Sequence, residues 1–119
     1  KDFYMSVKIN GKKLHLTTFE VPTNGKNIRR CLVAQKKFAE ADLAIKRVDT
    51  DDEESIINSL EAQIKLIDSY TEFLKPVLSL SDAQVEKVEN ADFEDVVSFT
   101  TEVIDKVLKV DSSKSDDTK

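Results

Sequence analysis

Residues 3–19 read Phe3-Tyr4-Met5-Ser6-Val7-Lys8-Ile9-Asn10-Gly11-Lys12-Lys13-Leu14-His15-Leu16-Thr17-Thr18-Phe19. Apolar residues hold the odd positions from Phe3 to Ile9, and mostly polar ones hold the even positions, the period-two pattern of a half-buried strand. Asn10-Gly11 suits the positive φ angles of a tight hairpin turn. Leu14 to Phe19 alternates again and predicts a second strand. A two-residue turn would pair Val7 with Leu14 and Met5 with Leu16. A four-residue loop would pair Ile9 with Leu14 and Val7 with Leu16. Either register places the apolar side chains of both strands on one face, so a hairpin over 3–21 is predicted. A lone hairpin is marginal in water, so that face needs a helical layer to cover it.

The rest of the chain supplies the helices. Pro22, which has no N–H to donate, ends the second strand. Thr23-Asn24-Gly25 offers helix caps, and a helix follows over about 26–46. Its apolar positions are Ile28, Cys31, Leu32, Phe38, Ala39 and Ile45, and Arg29, Arg30, Lys36 and Lys37 ride on its other faces. A second helix is predicted over 52–75, with Asp51 as its cap. Its seam of Ile56, Leu60, Ile64, Ile67, Tyr70 and Leu74 is widened by Ile57, Leu66 and Phe73. Pro76 is expected to end or kink it. Ser81-Asp82-Ala83-Gln84 has the form of a capping box and opens a short helix over 82–89. Asn90 or Asp92 caps a last helix over 92–109, with Phe93, Val96, Val97, Thr100, Val103, Ile104, Val107 and Leu108 on one side. Residues 111–119 contain no apolar side chain and read as a disordered tail. The expected fold is α+β, mostly α: a single domain over 1–110, with an N-terminal β-hairpin followed by a bundle of three to four helices.

Composition narrows the function. The chain has 119 residues, of which 39 % are hydrophobic and 34 % charged, with two Gly and two Pro. That excludes collagen-like and Pro/Gly-rich disordered classes. The net charge of −5 hides a division. Residues 1–47 carry 11 Lys/Arg against 4 Asp/Glu, and residues 48–119 carry 7 against 19. The basic helix 26–47 is the one feature suited to nucleic acid, but the acidic remainder would repel phosphate. A small intracellular regulatory or nucleic-acid-binding module is therefore the alternative reading. The leading reading is a binding and assembly protein. A basic face meeting an acidic face of a second copy would give self-association.

Chemical motifs are absent from the sequence. The one histidine, His15, and the one cysteine, Cys31, cannot build a zinc site of ordinary ligand count. His15 is expected on the solvent face and Cys31 in the core. The carboxylates Asp49, Asp51, Asp52, Glu53 and Glu54 lack the mid-loop Gly of a calcium loop. Thr23 to Asn27 lacks the spacing of a phosphate-binding loop. No enzyme activity, metal or cofactor is expected. The single cysteine suits a reducing compartment. No apolar run approaches the roughly 20 residues that cross a bilayer, and no secretory signal is expected. The residues set out as candidate partner contacts are Arg29, Arg30, Lys36 and Lys37 from the basic helix. Leu66, Phe73 and Phe99 join them, because they widen the apolar seams beyond what a small bundle needs.

The order of elements from about residue 5 to residue 110 resembles the tail assembly chaperones of long, non-contractile-tailed bacteriophages, especially those of Gram-positive hosts. Val7-Lys8-Ile9-Asn10-Gly11, with Leu14 and Leu16, is similar to the family's N-terminal hairpin. Pro22 through Arg29-Arg30-Cys31-Leu32 resembles the start of its first helix, and Ile67-Asp68-Ser69-Tyr70-Thr71-Glu72-Phe73-Leu74 its second long helix. Leu80-Ser81-Asp82-Ala83-Gln84-Val85 looks like the short helix that follows. Asp92-Phe93 through Val107-Leu108 looks like the last. Two departures are Pro76, where relatives often carry a Gly-Asn-like turn, and a longer acidic linker around 49–54. The resemblance implies a non-enzymatic chaperone that binds the tape measure protein and recruits tail tube subunits. Such a protein works in the host bacterial cytoplasm and leaves before the virion is complete. The polar tail would suit a link to a longer, frameshifted form.

Overall fold

A computed structural model describes residues 5–109. Phe3, Tyr4 and the tail at 111–119 lie outside the described residues. The order of elements is β1 (Ser6–Asn10), a 3-10 turn (Lys12–Leu14), β2 (Thr18–Pro22), α1 (Gly25–Lys46), α2 (Glu53–Leu78), α3 (Asp82–Asn90) and α4 (Phe93–Leu108). An antiparallel two-stranded hairpin followed by four helices makes the fold α+β and mostly α.

Neither expected hairpin register is present. Ile9 pairs with Phe19 and Val7 with Val21. The second strand therefore begins at Thr18, and Leu14 and Leu16 belong to the connection. The physical reason lies at Gly11. Its carbonyl accepts from the N–H groups of Leu14 (3.0 Å) and Leu16 (2.8 Å), and its own N–H donates to the Thr17 carbonyl at 3.0 Å. The connection thus curls around Gly11. A Cβ there would sit 2.5 Å from the Thr17 carbonyl oxygen and 2.7 Å from the Leu16 Cβ. Gly11 is needed for this close approach, since its φ of −90° is open to any residue. The left-handed residue is His15, with φ 61°. That conformation turns the exposed His15 outward between two leucines that are both buried.

Local capping explains most helix ends. Asn24 caps α1 by accepting from the Asn27 N–H at 2.9 Å. Asp52, one residue later than expected, caps α2 by accepting from the Glu54 N–H at 3.2 Å. Glu53 and Glu54 place negative charge in that first turn, where the helix dipole favours it. The capping box of α3 is formed: the Ser81 N–H donates to Gln84 Oε1, and the Gln84 N–H donates to Ser81 Oγ. Asp92 occupies the N-cap position of α4 without a side-chain cap bond.

Pro76 neither ends nor breaks α2, which runs to Leu78 and stops at a left-handed Ser79. Pro76 supplies no N–H for the Glu72 carbonyl. The helix continues because the next two side chains, Val77 and Leu78, are buried in the core.

The core lies between the inner face of the hairpin, the first half of α1, the second half of α2, and α4. Ile9, Val21, Leu14, Cys31, Leu74, Phe99 and Val103 are among its fully enclosed members. Lysines fasten the hairpin to the later helices. Lys106 Nζ donates to the Lys8 carbonyl, Lys87 Nζ to the His15 carbonyl and Lys13 Nζ to Ser98 Oγ.

Candidate functional site

The long helices outrun their cover. At 1.5 Å per residue, the 26 residues of α2 span about 39 Å, against about 24 Å for the 16 residues of α4. All buried residues of α2 except Ser59 lie at or beyond Ser69. Those of α1 are Asn27, Cys31 and Ala34, all in its first half. α1 and α2 share the most extensive helix–helix contact in the fold, and the second half of α1 and the first half of α2 contribute few buried side chains to the core.

The expected seam of α2 is divided accordingly. Tyr70 and Leu74 are buried and Ile56 is half-buried. Ile57, Leu60, Ile64 and Ile67 are between 53 % and 59 % exposed. Their spacings of three, four and three put them on one face. That face lies on the far side of α2 from the buried Ser59, Ser69 and Phe73. Four large, more than half-exposed aliphatic side chains in a row form a candidate docking surface.

The stripe continues at Ile67 into a groove of about 570 Å³ between α2 and the α3–α4 junction. Val88, Ala91, Phe93 and Val96 contribute to its lining, together with Tyr70. An aromatic ladder shapes this end. Phe38 stacks on Tyr70 with ring centroids 4.5 Å apart, and Tyr70 meets the edge of Phe93 at 5.3 Å. Burial raises the Tyr70 phenol above its ordinary pKa. Phe93, the last ring, is 40 % exposed.

The residues proposed from sequence as partner contacts are dispersed. Phe73 and Phe99 are core residues, Phe99 with no exposed surface at all. Leu66 is half-buried and lines a separate groove between α1 and α2. These three widen their seams because they pack between elements, and what they leave at the surface is the edge of Leu66 and the part of Phe73 that floors a shallow pocket. Arg29 is exposed. Arg30 is half-buried and donates to Asn27 Oδ1 at 2.9 Å. Asn27 is itself anchored by donating to the Pro22 carbonyl. Lys36 pairs with Glu40 at 3.2 Å, and Lys37 reaches across to Glu72 of α2 at 3.7 Å. Arg29, Arg30 and Lys37 share a shallow pocket of about 120 Å³ floored by Ala34 and Phe73; Lys36 is not part of it. The basic helix thus spends part of its charge on carboxylates of its own chain, which are exposed pairs of small energetic weight.

Two signals could have placed the docking face from sequence. The helices after α2 are too short to cover it, and Glu53, Glu61 and Asp68 flank the stripe. Acidic flanks are consistent with either a solvated or a docking face, which is why spacing alone did not separate them.

Among the described residues no group of three His, Cys, Asp or Glu side chains could hold a metal ion. Cys31 is buried and His15 sits in the exposed turn, and burial pushes the Cys31 thiol up to about 11. A thiol with that pKa is a poor nucleophile near neutrality. No described helix is long and apolar enough to cross a membrane. The described residues thus form a small, mostly helical protein with one open apolar face on α2.

Comparison with protein families makes this specific. A family model for phage tail assembly chaperone proteins, TAC, matches residues 5–119, and the chain belongs to that family. It is a family of assembly chaperones and not of enzymes. Comparisons with curated proteins and with solved structures find no match.

Proposed function

We propose that this chain binds the tape measure protein and recruits tail tube subunits during phage tail morphogenesis. It would act in the cytoplasm of a Gram-positive host, for a phage with a long non-contractile tail, and leave before the virion is complete. Family membership supports the general role. The observation that carries the reading is the row of Ile57, Leu60, Ile64 and Ile67, exposed together on one face of α2. A tape measure protein is long and aggregation-prone, and apolar stripes of this width mask amphipathic segments of such chains. The opposite charges of the basic α1 and the acidic later helices support self-association as a further property of the same protein.

The test is co-expression of the full chain with segments of a candidate tape measure protein. The expected result is that the segments stay soluble and co-purify with the chain. Segments that precipitate equally with and without the chain would refute the reading. A steeply salt-dependent shift of DNA or RNA, without capture of any tail protein, would favour a nucleic-acid-binding module using Arg29, Arg30, Lys36 and Lys37.

A further inference from the structure

We infer that the outer face of α2 and the groove at its end form one helix-docking track. The occupant is a single amphipathic helix whose apolar stripe is edged by Lys or Arg. This rests on the reading that the chain holds a tail protein, and it names the kind of segment held and the face that holds it.

The floor of the track is apolar and continuous. From Ile57 to Ile67 it covers about 15 Å along α2, and beyond Ile67 the groove carries it on to Val88 and Phe93. A floor of this length accepts a helix through positions three and four apart. The rim is acidic. Glu61, Asp68 and Glu72 run along the side of the stripe nearest α1, and Glu89 stands at the far end with Asp68 and Glu72 beside the groove. No Lys or Arg lines that groove. Lys65, the cation within this stretch of α2, stands on the α1 side with Glu61, Asp68 and Glu72, so that side of the rim carries three α2 carboxylates against one α2 lysine. Of the rim carboxylates, Glu72 has a cationic partner, the exposed Lys37 at 3.7 Å. An acidic rim around an apolar floor favours a partner with basic edges and disfavours one with acidic edges.

The probe is a pair of synthetic helical peptides with the same Leu/Ile stripe, one edged with Lys and the other with Glu. Binding to the full chain is read by fluorescence anisotropy at 50 mM and 500 mM NaCl. The Lys-edged peptide should bind at least tenfold tighter than the Glu-edged one at low salt, with the gap narrowing at high salt. The double substitution Leu60→Gln and Ile64→Gln keeps the net charge and alters only exposed side chains. It should weaken the Lys-edged peptide at least tenfold, while the thermal unfolding midpoint stays within 2–3 °C of the parent (roughly 0.5 kcal/mol).

Three results overturn the inference: no peptide binds the parent chain; the Gln double variant binds as well as the parent, which would reduce the effect to net charge; or sedimentation shows the parent self-associating and the Gln variant monomeric, which would give this face to a second copy. Capture of the tape measure segment separates this inference from the reading on which it rests. A parent that captures nothing fails both. A Gln variant that captures as well as the parent fails the track and leaves the general role intact.

Discussion

Thr100 sits in the middle of α4 with no exposed surface, and among the described residues its hydroxyl has no hydrogen-bond partner. The neighbouring Thr101, by contrast, donates to the Val97 carbonyl one turn back, at 3.0 Å. A hydroxyl buried without a partner costs about 1–3 kcal/mol relative to water. Replacing Thr100 with Val puts a methyl group of similar shape in its place and removes that cost. The expected gain for Thr100→Val is about 1–2 kcal/mol, since the slightly larger group meets a packed core and gives some of the benefit back. For a domain of this size each kcal/mol moves the midpoint by about 4–5 °C. Thermal unfolding followed by circular dichroism should therefore show a rise of roughly 5–10 °C. Thr100→Ser is the control. It keeps the hydroxyl and loses the methyl, so it should fall by about 1 kcal/mol. A Val variant at or below the parent, together with a Ser variant at the parent's level, would refute the reasoning, because it would mean the hydroxyl is satisfied.

Three further outcomes follow from other positions. Gly11→Ala forces a Cβ against backbone at 2.5 Å and should cost about 2–3 kcal/mol in urea unfolding, far more than an alanine at an ordinary turn. Ser79→Gly relieves a non-glycine residue from the left-handed end of α2, at φ 55°, and should raise stability by about 1 kcal/mol. Cys31 keeps its proton in the folded chain from the ordinary 9.0 up to about 11. The stability linked to that proton is fully present below about pH 9 and is lost as the pH rises towards 11. Urea midpoints at pH 8 and pH 10.5 should therefore fall more for the parent than for Cys31→Ala, and equal falls would show that the thiol is not linked to folding.

Periodicity in the sequence was enough to place the four helices and to show that a hairpin comes first. It misled where one pattern had two physical causes. Leu14 and Leu16 alternate like strand residues, yet both are turned inward by a 3-10 turn and a left-handed His15. The Asn10-Gly11 pair looked like a two-residue turn, whereas Gly11 is there because the connection folds back onto its backbone. Pro76 looked like a terminator, but burial of Val77 and Leu78 carried the helix past it. The candidate site was legible only in part. A run of apolar residues records that a face is apolar and does not record what covers it. That is decided by the lengths of α3 and α4 and by where they dock. Phe73 and Phe99 were read as surplus for the same reason.

The fastening of the hairpin has a consequence for how the chain folds as it leaves the ribosome. The Lys8 carbonyl is held by Lys106, and the turn after β1 rests on Lys87 and on Ser98. β1 and its turn are thus completed only by helices that follow much later in the chain. Until α4 has emerged, α2 covers only the β2 side of the hairpin, and the β1 side and the turn, with Ile9 and Leu14, lack the helix that packs on them. Folding is closed by contacts between elements far apart in sequence, β1 and α4, an arrangement that slows the final step. Truncation before α4 should therefore expose the hairpin as well as remove a helix, leaving an adhesive nascent chain in place of a smaller chaperone.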